Sequence, residues 1–247
     1  MRIFRRLASF LLLTVSSVGA ASAQSYMFDN PENHPYFGAR VGLDIATVAN
    51  GGWMYSTKAG FTAGAVYNIP ILMNLYFEPG LSVFYDAFGT VSQQNYRRPI
   101  VDQDGNIDYE KLPYWVNGTL RNFGFRIPMT FGYHFDFSDD LSVHVYTGPQ
   151  INLSLVARYH QNEVITPDGV VESTSVNAFG TGGFKHCDLQ WNFGAGVTYG
   201  HYYMSVGGSV GMTHMKSASE IEAGPYKVSL GNNIRRNLFN ISVGYNF

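Results

Sequence analysis

Four charged residues stand in stretches otherwise made of apolar and small polar residues: Arg40, Asp44, Glu78 and Arg126. Two are acids and two are bases. Brought together out of water they would neutralise one another, whereas burial without a partner would be expensive. Two readings of such a set stand side by side. One is a fixed neutral plug, with His144, Tyr146 and Gln150 supplying hydrogen bonds; the other is a gate that rearranges to admit small solutes. A second group, Asp102, Asp104, Gly105, Asn106 and Asp108, has the outline of a calcium loop. Aligning Gly105 with the glycine such a loop requires puts the other four at ligand positions, but Ile100 and Lys111 then fall where the first and last ligands belong. The competing reading is a β-hairpin turning at Asp104-Gly105. His186, Cys187 and Asp188 are adjacent, and neighbours on a strand point to opposite faces, so they would need a bulge to share a metal. His160, His186, His214 and Asp168 are candidate acids and bases, but no spacing ties a nucleophile to a base. The chain is therefore expected not to be an enzyme and to carry no metal or cofactor.

These residues sit in an unusual background. Of 247 residues, 14% are charged and 15% aromatic, and 27 are glycine. Average domains have roughly 25% charged residues and about 7% glycine. Such a chain is too aromatic and too poor in charge for intrinsic disorder. One cysteine excludes an internal disulfide framework. A mean hydropathy near zero excludes a bundle of membrane-spanning helices, each of which needs about 18 or more apolar residues in a row.

The N-terminal segment carries Arg2, Arg5 and Arg6, then an apolar run over 7–15, then Ala21-Ser22-Ala23 before Gln24. This is the pattern of a secretory signal peptide, with cleavage expected between Ala23 and Gln24. Residues 1–23 are set aside as the signal, 24–35 as a short periplasmic tail, and 36–247 as the folded domain. Removal of the signal takes away three arginines and no carboxylate, lowering the net charge from −2 to −5. No basic stripe remains, so no nucleic-acid partner is expected.

Alternation of residue type organises the folded domain. Eight runs, beginning near residues 36, 60, 75, 123, 141, 189, 202 and 239, place large apolar residues on one parity and Gly, Ser, Thr and Asn on the other. In the first, Phe37, Ala39, Val41, Leu43 and Ile45 alternate with Gly38, Arg40, Gly42 and Asp44. A period of two predicts strands, and no segment of comparable length has a helical period. The polar parity is too small and too rarely charged for a water-facing surface. It suits the narrow inside of an eight-stranded barrel whose apolar parity faces lipid. Arg40, Asp44, Glu78 and Arg126 all belong to the inward set. Connections then alternate short (70–74, 136–140, 200–201) with long (89–119, 157–185, 213–235), as they do in outer-membrane barrels. The outward aromatics sort into two belts. Phe61, Tyr85, Phe123, Trp191 and Phe239 form one, and Tyr67, Tyr133, Tyr199, Tyr202, Tyr245 and Phe247 the other. Trp53, Tyr55, Tyr96, Tyr114 and Trp115 are expected in loops as contact aromatics.

The strings YFGARVGLDIATV, YFEPGLSVFY, FRIPMTFGYHF, VYTGPQINLSL and WNFGAGVTYG, with a C-terminal NISVGYNF, occur in that order. Together they resemble the PorT-like outer-membrane β-barrel domain of Bacteroidetes, from residue 36 to the end. The resemblance implies an eight-stranded antiparallel transmembrane β-barrel in the cell outer membrane of a Gram-negative bacterium. Tyr245 and Phe247 would form the terminal signal read by the barrel-assembly machinery. It also implies partners among outer-membrane lipid and secretion-system proteins, and it supplies no functional residue. The expected role is structural or surface-interacting through the long loops. A narrow solute pore or a secretion component is the alternative.

Overall fold

The computed structural model describes residues 34–49, 55–72, 74–101, 107–162, 164–166, 169–171, 173–179, 183–216, 220–223, 226–229 and 233–247. The strands are β1 (Tyr36–Ala49), β2 (Tyr55–Leu72), β3 (Leu75–Val101), β4 (Ile107–Asp136), β5 (Leu141–Gln161), β6 (Val164–Thr166), β7 (Gly169–Val171), β8 (Thr174–Asn177), β9 (Cys187–Tyr199), β10 (Tyr202–Gly211), β11 (Glu220–Ala223), β12 (Tyr226–Ser229) and β13 (Arg235–Asn246). Eight of them, β1–β5, β9, β10 and β13, close into one antiparallel barrel. Each pairs with its neighbour in chain order, β4 with β5 and β5 with β9, and β13 returns to β1. Closure leaves the barrel itself without an open edge, which is what allows a sheet to stand in lipid.

Parity behaves as the alternation predicts in the lower part of the barrel. Val41, Leu43, Phe125, Phe131, Phe193 and Ile241 are exposed, and Arg40, Asp44, Arg126, Gln190 and Ser205 are buried. Phe61, Tyr85 and Phe123 lie side by side across three strands in the upper belt. Ten residues separate Phe123 from Tyr133 on β4. At about 3.4 Å per residue and a tilt near 40°, that is roughly 26 Å, the height of an apolar membrane band.

The connections depart from expectation at one end. Residues 89–119 are not a loop: β3 and β4 continue as a paired ribbon to Val101↔Ile107. This is the hairpin reading of the segment; residues 102–106, and with them most of the candidate calcium ligands, lie outside the described residues. The stretch 157–185 likewise contains β6 paired with β7, and β8 added to β5, while 213–235 contains β11 paired with β12. Tyr55, expected in a loop, opens β2, and Tyr96, Tyr114 and Trp115 lie on the paired arms of the ribbon. Trp53 lies outside the described residues. At the other end the turns are short. Gly200, with φ of 55°, turns β9 directly into β10, a conformation a side chain would strain.

Candidate functional site

The lumen is built in layers, each supplied by inward residues at one height. At the short-turn end is a floor of buried rings: Tyr36, Tyr76, His134, His144 and Tyr203. His134 and His144 face each other across β4 and β5 and their rings stack at 6.2 Å. Tyr76 meets His134 edge-on at 5.3 Å, and His144 shares a hydrogen bond with Thr198 at 2.7 Å. Tyr76 needs the glycine opposite it. It pairs with Gly132, where a Cβ would collide with the tyrosine ring. Here, one or two rungs inside the belt, the inward set is aromatic rather than small.

Above the floor, the Arg40 guanidinium lies 3.8 Å over the Tyr203 ring and pairs with Glu78 at 3.7 Å. Asn68 donates to the Glu78 carboxylate at 3.5 Å. A cavity of about 120 Å³ separates this pair from the next layer, with Arg126 on its wall.

The next layer is a larger ion-pair network. Arg126 donates to Asp44 at 2.7 Å, to Asp86 at 3.3 Å and, through Nε, to Asn152 at 3.1 Å. Arg236 donates to Asp86 at 2.8 Å and to Asp188. Asn152 in turn donates to Asp188 at 3.1 Å, and Asn240 donates to Asp44. Gln150 and Ser209 both donate to the Gln190 side-chain oxygen Oε1, at 2.9 Å and 2.7 Å. The Phe84 ring lies 4.9 Å from both guanidinium carbons. The members come from seven of the eight barrel strands, all but β2. Each charge of this network meets at least one opposite charge, the condition under which burial of ions is tolerated, while Asp86 Oδ1 and Arg236 Nε are left without a hydrogen-bond partner.

Above the network the lumen becomes apolar. Ala46, Phe88, Leu120, Ala157, Tyr159 and Leu238 turn inward from the strands, and Ala178, Phe184, Met215 and Ile234 fold over them from the connections. Backbone hydrogen bonds tie these connections down: Ala178 N to Ala157 O at 2.9 Å, Lys185 N to Met215 O at 2.8 Å, and Met215 N to Ile234 O at 2.9 Å. Tyr55 packs against the cluster. Burial raises its hydroxyl well above the ordinary phenol range, with Tyr159 adding to the shift, and Tyr159 moves the same way through burial.

The four interior charges named from sequence therefore do not form one cluster. Arg126 meets Asp44 and Arg40 meets Glu78, in two layers on either side of the cavity. Gln150 joins the upper layer, whereas His144 belongs to the floor and Tyr146 lines the cavity. Three members of the network are not singled out by the sequence. Asp86 shares the inward parity of its run, which is the signal that marks it; Arg236 falls just outside the last alternating run; and Asp188 stands beside His186 and Cys187, which suggests different company. The structure separates that trio: Asp188 is buried in the network, Cys187 is exposed, and His186 stacks on Phe179 at 3.8 Å. His214 lies by Arg235 at 3.5 Å, and Asp168 lies outside the described residues. No group of three or more metal-ligating residues occurs among the described residues.

A closed, eight-stranded barrel with a lipid-facing exterior and a packed polar core is a protein of the outer-membrane β-barrel class. The chain belongs to the outer membrane protein beta-barrel domain family, whose model matches residues 8–247, and its place is the cell outer membrane. Among solved structures it is similar to the attachment invasion locus protein Ail of Yersinia pestis, at 10% identity over 87% of this chain and 99% of that one, with a TM-score of 0.37. It is similar also to Neisserial surface protein A, at 12% identity over 86% and 97% with a TM-score of 0.37. The outer membrane protease OmpT of Escherichia coli is similar at 11% identity over 90% and 99%, with a TM-score of 0.34. No curated protein matches the sequence.

Proposed function

We propose that this chain is a non-conducting, non-enzymatic outer-membrane barrel that works as a surface-interaction protein. Its long hairpins project from the cell, and its short turns and both ends of the folded domain lie in the periplasm. The observation that carries this reading is the filled lumen. Ring floor, ion-pair network and apolar cap occupy the axis in succession, leaving the ribbon of β3 and β4 as the longest strand pairing among the described residues. On this reading residues 1–23 are an export signal cleaved between Ala23 and Gln24. Tyr245 and Phe247, packed edge-to-face at 5.1 Å at the closing seam, serve as the assembly signal.

The purified barrel in planar bilayers should show no stepwise conductance. Arg126→Ala should be equally silent and less stable; steps that appear in that variant would replace the plug with a gate. A variant with residues 92–116 replaced by a tight turn should keep the heat-resistant mobility of a folded barrel yet lose whatever ligand the full chain binds at the cell surface. The ordered strand strings also favour a second reading, a PorT-like component of protein secretion. Co-purification with a large envelope complex that survives trimming of the ribbon would favour that reading.

A further inference from the structure

The outside of the barrel carries a feature that neither the lumen nor the ribbon explains. Arg121 on β4 and Arg158 on β5 are directly opposed in the antiparallel register, and both are exposed. Like charges placed opposite one another in a sheet destabilise it. No carboxylate lies within ion-pair distance of either among the described residues. Glu110, an exposed acid on β4, is eleven residues further toward the tip of the ribbon. Two arginines held side by side form a cradle for an anion, and the fork of a guanidinium matches phosphate oxygens two at a time.

Their height identifies which anion. One rung below lie Phe123 and Val156, paired with each other and exposed, and Phe123 belongs to the upper aromatic belt. The pair thus stands where the apolar band ends and lipid headgroups begin. A β-bulge sharpens the site. Between Phe123↔Val156 and Gly124↔Ser154 the chain of β5 carries an extra residue, Leu155, so that Leu155 and Val156 are both turned outward, 51% and 46% exposed. They line a groove of about 410 Å³ with Val176, Asn177 and Phe179, and Arg158 closes its wall. The outward Phe123, Leu155 and Val156 and the paired cations together fit one amphiphile, with acyl chain and phosphate on the same molecule. Lys58 and Lys185 are further exposed cations at this end, while the exposed charges of the opposite turn are Asp136, Asp139 and Asp140.

We infer that Arg121 and Arg158, with the groove at the Leu155 bulge, form a binding site for the phosphorylated headgroup of an outer-leaflet glycolipid. In the cell, the site rests on the outward placement of this end. Its chemistry does not, so binding in detergent tests the site, and protease access on intact cells tests the placement separately.

The full chain in a neutral detergent would be heated with diphosphoryl lipid A, with the same lipid stripped of phosphate, or with inorganic phosphate. Unfolding would be read from the heat-sensitive gel shift. The wild type should gain thermal stability from the diphosphoryl lipid alone. R121Q/R158Q should bind it on the order of tenfold more weakly. Without lipid the same variant should melt at or above the wild-type temperature, because the repulsion is gone. R121K/R158K, which keeps the charge but not the fork, should show a lipid effect between those of the wild type and R121Q/R158Q. An undiminished lipid effect in R121Q/R158Q would overturn the site, as would equal stabilisation by the dephosphorylated lipid. Full stabilisation by inorganic phosphate would reduce it to an ion site without a lipid. A glutamine variant that melts well below wild type in plain detergent would make the arginines structural and refute the proposal.

Discussion

The membrane-embedded part of the barrel and the part that rises above it use the same strands with opposite logic. In the lower part the interior is polar and the exterior apolar; in the upper part Phe88, Leu120, Tyr159 and Ile234 fill the interior while Arg121, Arg158 and Asn177 face outward. The change takes place within a few residues of one strand. On β3, Asp86 and Phe88 are successive inward residues, the first holding two arginines and the second in the apolar cluster. The cause is the solvent. Lipid gives no hydrophobic reward for hiding apolar side chains, so the interior there is held by charge and hydrogen bonding, whereas above the membrane water restores the ordinary rule.

The comparison can be broken first in its polar half. Arg236→Met should cost about 3–5 kcal/mol, because it strips the buried Asp86 and Asp188 of a cation. The expected outcome is a large drop in the denaturant midpoint of the refolded barrel. A variant as stable as the wild type would show that the network is not what secures this layer. The apolar half should respond to Phe88→Ala by about 3 kcal/mol through the cavity left behind. Protease sensitivity should rise at the long-loop end while the embedded strands remain protected. Phe84 is the inward residue of β3 just below Asp86, within the polar half. Replacing it with leucine keeps most of the volume but removes the ring between Arg126 and Arg236, at a cost of about 1–2 kcal/mol. Equal losses from F84L and from an outward Phe125→Leu would argue that ring stacking on the guanidiniums contributes nothing.

The smallest effect is one of pH. Burial raises the Tyr55 and Tyr159 phenols above their ordinary value of 10.0, so the folded cap holds these protons more tightly than the unfolded chain does. The associated stability is fully present below about pH 10 and declines as the pH rises above it, where unfolded phenols ionise first. Thermal scans at alkaline pH should show this decline in the wild type and a shallower one in Y55F/Y159F.

Much of the architecture was legible because its signal is local. Strand number, inward and outward parity and the two aromatic belts all follow from alternation, which needs only neighbouring residues. The interior charges were legible as a class for the same reason: Arg40 and Asp44 share a parity, and so do Glu78 and Arg126. The ribbon over 89–119 was partly hidden, since above the membrane both faces meet water and the alternation loses contrast. The apolar cap was hidden for a related reason. Ala46, Phe88, Leu120 and Leu238 occupy inward positions, but a reading tuned to polar interiors has no cause to join them to Phe184 and Met215 in the connections.

Sequence alone determined that this chain alternates through eight strands, which side of each faces lipid, and that charges of both signs lie inside. Tertiary structure decided which charges meet. Asp86 and Arg236 are separated by 150 positions and reach each other only after the barrel closes, at a height set by the stagger of every intervening pair. A bulge at Leu155 then turned Arg158 to the same side as Arg121. Parity is a property of a strand and can be read along it. Height and bulges are properties of the sheet, and they exist only once the strands have paired.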